Sequence, residues 1–176
     1  LERKSPALTA VEGLRVALAR AIVRQPKAML MDRPLDALAP AQREALRAEL
    51  VKLQERLQMT VILATSDPET AFALAHRVAL LEAGRLRQFD APMEIYRKPA
   101  NPFAAAFLGR PGMNLLPGKL RSAAQGVVFK ETGGTVEVAL EEAPREWAGK
   151  EVILGVRPEA LEPGEAKVGK TRGGVR

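Results

Sequence analysis

The run Ala28-Met29-Leu30-Met31-Asp32-Arg33-Pro34 decides the fold. Four apolar residues follow Pro26 and end in a polar tip, as in a short strand buried on both faces. Upstream, residues 14–24 place apolar side chains at Leu14, Val16–Leu18, Ala21 and Ile22 between arginines, which predicts a helix. Gln25-Pro26 ends it, because the residue before a proline avoids the α region. Downstream, Leu46, Leu50, Leu53 and Leu57 recur at helical spacing within 40–58, behind Pro40. Residues 60–65 (TVILAT) are β-branched and apolar and read as a second buried strand. A helix from Asp67 to about Ala75 follows, then strands over 77–81 and 85–89 around the turn Glu82-Ala83-Gly84, and short helices over 91–96 and 102–108. This alternation predicts an α/β architecture around a parallel sheet.

The pattern changes at Gly109-Arg110-Pro111-Gly112, a cluster of breakers and the expected domain boundary. Residues 127–132 and 135–140 flank Gly133-Gly134, a hairpin signal, with Val136, Val138 and Leu140 alternating on one face. Residues 150–156 form a further strand, so a small β-domain is expected over 111–163. The basic stretch 164–176 reads as a disordered tail.

Composition removes several classes of chemistry. The chain has 176 residues and no cysteine, which excludes a disulfide framework, a thiolate metal site and a cysteine nucleophile. A single histidine, His76, argues against a histidine-based metal site. No Ser/His/Asp or Cys/His set is available for nucleophilic catalysis. The net charge of +6 is spread among acidic residues, and aromatics make up only 4%. Nucleic acid is therefore a poor fit as a partner, since stacking platforms are lacking. No leader and no membrane-length apolar run is read, so a cytoplasmic location, with docking at the inner face of a membrane left open, is expected.

Several blocks in order resemble one family. Leu18-Ala19-Arg20-Ala21-Ile22, Pro26, Leu30-Met31-Asp32, Pro34-Leu35 and Leu38 are similar to the stretch from the signature motif through the Walker B strand of ABC ATPases. Glu94-Ile95-Tyr96-Arg97-Lys98-Pro99-Ala100-Asn101, Phe107-Leu108-Gly109 and Met113-Asn114 resemble the subgroup that energises maltose-type carbohydrate importers. Leu154-Gly155-Val156-Arg157-Pro158-Glu159 resembles a stretch of that subgroup's OB-like regulatory domain. The resemblance implies the C-terminal half of a P-loop NTPase sheet over 1–110, an OB-like domain over 111–163, ATP and Mg²⁺ as cofactors, and partnership with a second subunit and a permease. A homodimer is the first expectation for that second subunit.

The departures from the family pattern concern hydrolysis. No Walker A loop is read before Leu8, although a phosphate cradle needs a strand, a Gly-rich loop and a helix N-terminus. Residues 164–171 match G-x-x-x-x-G-K-S/T by letter, but no strand leads directly into them and only five residues follow. The signature loop L-S-G-G-Q aligns with Leu8-Thr9-Ala10-Val11-Glu12. Ala10 and Val11 replace glycines that let a backbone approach phosphate. Glu12 puts a carboxylate where an amide belongs, a repulsion of roughly 4 kcal/mol at about 4 Å and intermediate dielectric.

By the same resemblance Asp32 is the Walker B aspartate that supports Mg²⁺. The next position, normally the glutamate that polarises water, is Arg33, which has no acceptor. One reading is that Arg33 neutralises Asp32 and stands in for the metal's charge. The other is that it is simply exposed at a strand end. The D-loop aligns with Asp36-Ala37-Leu38-Ala39, so its aspartate is replaced by Ala39, and the switch histidine is replaced by Ser66. These changes predict a hydrolysis-incompetent accessory or regulatory relative. Two alternatives remain: half of a split ATPase needing a Walker A partner, and an anion or nucleic-acid binder acting through the OB-like domain.

Overall fold

A computed structural model describes residues 8–124, 126–134, 136–140 and 143–161. The chain divides into two compact units at the Ala75/His76 junction. The expected tail, the Gly164–Thr171 letter match and Glu141-Glu142 lie outside the described residues.

The first unit runs α1 (Ala10–Ile22), β1 (Ala28–Asp32), α2 (Pro40–Leu57), β2 (Thr60–Ala64) and α3 (Pro68–Leu74). The strands pair in parallel, with Leu30 beside Ile62 and Asp32 beside Ala64. Leu35, Leu38, Leu46 and Leu50 form the core, packed by Val11, Leu14, Leu18, Met31, Leu53 and Leu74. The leucine spacing of α2 thus does what its period implies for Leu46, Leu50 and Leu53, while Leu57, at the helix end, is exposed. The expectation that β1 is buried on both faces holds on one only. Met29 is buried, but Leu30 is 76% exposed and its neighbour Ile62 is 60% exposed. The described helices of this unit cover the Met31 side and leave the Leu30–Ile62 side open.

α1 begins at Ala10, four residues before the apolar period suggests. Its start is marked by a cap, and core contacts begin at Val11, one residue after Ala10. Thr9 is the N-cap, and Glu12 completes a capping box.

The second unit opens with an antiparallel hairpin of β3 (Val78–Glu82) and β4 (Arg85–Asp90), turned at Gly84 with φ +73°. Two short helices follow, α4 (Pro92–Arg97) and α5 (Pro102–Phe107), each entered through proline. Then come β5 (Asn114–Ser122), β6 (Val127–Glu131), β7 (Glu137–Leu140) and β8 (Glu151–Val156), in an antiparallel sheet ordered β7-β6-β5-β8. The β6–β7 register pairs Val127 with Leu140 and Lys130 with Glu137, so it is centred on Gly133-Gly134 as the hairpin signal predicts. Leu120, Val127 and Phe129 make the core of this sheet.

The central strand, β5, escapes a reading by pattern because Pro117-Gly118 interrupts it. Here proline costs no pairing on the β6 side, since its carbonyl accepts from the Thr132 N–H at 2.9 Å. Gly118 is buried, and a Cβ there would run into the Phe129 ring and the Lys130 carbonyl. Absence of a side chain at this point is what admits the largest core residue of the sheet. The breaker cluster Gly109–Gly112 falls between α5 and β5, inside the second unit. Within this unit Arg157, just past β8, binds backbone of both short helices.

Candidate functional site

Parallel strands deliver their carboxyl ends to one edge, where ligands of open α/β sheets sit. In the first unit that edge carries Asp32, Arg33 and, on the β2 side, Thr65-Ser66-Asp67. Arg33 turns the chain with φ +46°, a conformation that β-carbon sterics disfavour. Its N–H donates to the Ala64 carbonyl at 2.9 Å and extends the strand pairing by one rung. Its guanidinium then points along the tip: Nε bonds Asp36 Oδ2 at 2.5 Å, and Nη2 bonds Ser66 Oγ at 3.3 Å. Ser66 Oγ donates to the same Asp36 oxygen at 3.5 Å, which closes a triangle.

Two of the positions singled out in the sequence, Arg33 and Ser66, therefore meet, through Asp36, the first residue of the stretch that resembles the D-loop. Asp32 stays apart from them in the hydrogen-bond pattern. It is exposed, and the partner of Arg33 is Asp36, not Asp32. The reading of Arg33 as a counter-charge to Asp32 is corrected by this geometry. The i,i+3 spacing of Arg33 and Asp36 across a turn was the available signal.

Ala39 is the N-cap of α2, with φ −63° and ψ 151°, and offers no side-chain acceptor. Its own N–H donates to Gln42 Oε1 at 3.3 Å. The aspartate after Ser66 is held firmly. Asp67 is 7% exposed and accepts from the Thr70 N–H at 3.2 Å and the Thr70 hydroxyl at 2.6 Å, capping α3. Arg43 and Arg47 of α2 approach it at 3.9 and 3.7 Å. His76 is exposed beyond the end of α3.

The loop that resembles the signature motif is occupied with itself. Glu12 Oε2 accepts from the Thr9 N–H at 2.9 Å and the Thr9 hydroxyl at 3.1 Å. The Glu12 N–H returns a bond to Thr9 Oγ1 at 3.2 Å. The pattern T-x-x-E signals this box in the sequence, and it gives Glu12 a structural role beside its unfavourable charge. Ala10 and Val11 lie in the first turn, and one turn further Arg15 grips Glu49 of α2 through two bonds, 2.6 and 3.2 Å long. That grip holds the Glu49 carboxyl below the usual carboxylate range.

The donor set can be weighed against the Mg²⁺ that the resemblance implies. Mg²⁺ needs an octahedron of oxygens, commonly one or two carboxylates completed by phosphates and water. This edge supplies the single exposed carboxylate of Asp32, while Asp36 is engaged by a guanidinium. No group of three potential ligands converges among the described residues. The residues present do not make a Mg²⁺ site of their own.

Comparison with known proteins places these observations. A family model for the MalK OB fold domain matches residues 109–161, beginning at the breaker cluster. The sn-glycerol-3-phosphate import ATP-binding protein UgpC of Bordetella pertussis is 39% identical over 161 residues, covering 92% of this chain and 44% of its own length. UgpC of Escherichia coli K12 is 40% identical with the same coverage. The uncharacterised ABC transporter ATP-binding protein YurJ of Bacillus subtilis is 39% identical over 165 residues, 45% of its own length. The chain thus spans a little under half the length of the curated relatives it matches. Among solved structures, a metal-chelate-type ABC transporter in an inward-facing conformation aligns over 90% of this chain and 52% of its own, with a TM-score of 0.53 at 19% identity. No helix among the described residues is long and apolar enough to cross a membrane.

Proposed function

This chain belongs, as a C-terminal part, to the family of carbohydrate-importer ABC ATP-binding subunits, and from that premise we propose that it is a hydrolysis-incompetent, accessory or regulatory relative. The Arg33–Asp36–Ser66 triangle carries the reading. Water activation needs an acceptor where Arg33 stands, and a general base must reach the proton that it takes. Arginine has five donors and no acceptor, and stays protonated. Its charge is bound to the D-loop residue Asp36, and the switch position contributes a hydroxyl to the same contact. The elements that move a water and sense a γ-phosphate in a working subunit are here bonded to one another.

The solute class that the named relatives favour for the parent transporter is a polyol phosphate or carbohydrate. Action at the inner face of a membrane beside a permease, with a second subunit of the same kind as partner, belongs to the same proposal. So does the division between an ATPase-derived part ending near residue 110 and an OB-like part after it.

The open Leu30–Ile62 face favours a second reading, in which this region works with a part that bears Walker A. Parallel sheets are covered on both faces in folded α/β proteins. Calorimetric titration with ATP and Mg²⁺, followed by a phosphate-release assay, tests the main reading. Absence of phosphate release, whatever the affinity, supports it. Mg²⁺-dependent release above background would sink it, because turnover needs the water activation that Arg33 cannot provide.

A further inference from the structure

Two sequence blocks that lie sixty residues apart in the chain meet at one side chain. Arg157, in Leu154-Gly155-Val156-Arg157-Pro158-Glu159, follows the last residue of β8. Its Nη2 donates to the Tyr96 carbonyl at the end of α4, at 2.7 Å. Its Nη1 donates to the Leu108 carbonyl at 2.5 Å and the Ala105 carbonyl at 3.3 Å, at the end of α5. The guanidinium carbon stands 3.9 Å from the centroid of the Tyr96 ring.

The last carbonyls of a helix lack intrahelical donors and carry its partial negative charge. One arginine answers that need for two helices at once. The fit is close. A Cβ on Gly109, whose φ is +121°, would lie 3.1 Å from Nη1. A Cβ on Gly112 would lie 2.9 Å from the Ala106 carbonyl, so the connection between α5 and β5 is threaded through a narrow space. Arg157 is half-buried with backbone oxygens and a ring as its described partners, and burial holds its pKa below the ordinary value. Lysine could not reproduce this. A planar fork reaches three carbonyls in two directions and stacks on a ring, and an ammonium does neither.

We infer that Arg157 is a positioning latch that couples the four-stranded sheet to the α4–α5 segment, so that displacement of β8 is transmitted to the carbonyl ends of both helices. The sheet and the helical segment then move as one body while the latch is closed, and separate when it opens.

Hydrogen–deuterium exchange of the full chain tests this with Arg157→Lys and Arg157→Ala. Peptides spanning 92–112 are expected to exchange about tenfold faster or more in both variants, and those of β6 to keep their protection. Guanidinium ion, at concentrations far below denaturing ones, should restore protection at 92–112 in Arg157→Ala and leave Arg157→Lys unchanged. The latch would be overturned by unchanged exchange over 92–112. It would equally be overturned by loss of protection in β6 to the same degree, including outright unfolding of both variants, because the side chain would then be part of the general core. Gly109→Ala, which crowds Nη1 and the Pro111 carbonyl and strains a backbone at φ +121°, should loosen the same peptides, and a silent Gly109→Ala counts against the close fit.

Discussion

Arg33 and Asp36 are joined by a 2.5 Å bond across the turn that follows β1, and the Arg33 backbone is left-handed there. The Arg33 side chain is 61% exposed, so the ion pair itself contributes only about 0.2–1 kcal/mol. Arg33→Gly loses the pair but removes a left-handed penalty of roughly 1 kcal/mol, and the two nearly cancel. Arg33→Ala keeps the penalty and loses the pair. Urea denaturation should therefore find the glycine variant close to wild type and the alanine variant about 0.5–1 kcal/mol less stable. The reverse order would show that backbone strain at 33 is negligible.

Ala39 occupies an N-cap with the right backbone and the wrong side chain. Ala39→Asp restores the family's D-loop residue and supplies an acceptor for the first turn of an eighteen-residue helix. It should stabilise the chain by about 0.5–2 kcal/mol, read as a rise in thermal midpoint. A drop would mean that the added carboxylate is repelled at this edge more than the helix attracts it.

Glu12 serves its capping box through a carboxylate oxygen, and glutamine can take the same place. Glu12→Gln, which returns the family's amide, should leave stability within about 0.5 kcal/mol, whereas Thr9→Ala should cost about 1 kcal/mol. Helicity and denaturant midpoints distinguish the two. If the glutamine variant loses as much as the alanine variant, the charge and not the hydrogen bond holds the cap.

Glu49 is held below the usual carboxylate range first by its hydrogen bond to Arg15. Its folded pKa is depressed, so its contribution is present above the ordinary glutamate value and fades as pH falls through the depressed one. The pair is half-exposed, so the effect is small and should shrink with salt. An NMR titration of the Glu49 carboxyl should show a midpoint below ordinary glutamate that returns toward it in Arg15→Ala. An unchanged midpoint in that variant would assign the shift to another cause.

Much of the fold is legible in the residues, and the failures have physical causes. The strands around 28–32 and 60–64 follow from short apolar runs bounded by breakers, although Leu30 and Ile62 are exposed, and the leucine face of α2 follows from helical periodicity. β5 is hidden because Pro117-Gly118 looks like a break, although the proline carbonyl and the missing Cβ serve the pairing and the Phe129 ring. The start of α1 is written in Thr9 and Glu12, yet a comparison against a phosphate-binding loop draws attention to what those residues lack instead of what they cap. Arg33 and Ser66 are visible as substitutions. Their contact through Asp36 is not, since it depends on a parallel register that only the folded strands define.

The most direct test of a hydrolysis-incompetent chain separates its own side chains from whatever lies outside it. The part of Escherichia coli UgpC that has no counterpart here can be fused ahead of this chain, and phosphate release from Mg-ATP measured. The account predicts that this fusion releases no phosphate above background, and that release returns only when Arg33→Glu, Ser66→His and Ala39→Asp are combined with a repaired signature loop, Ala10→Gly, Val11→Gly and Glu12→Gln. Sustained turnover by the fusion with Arg33, Ala39 and Ser66 in place would contradict it.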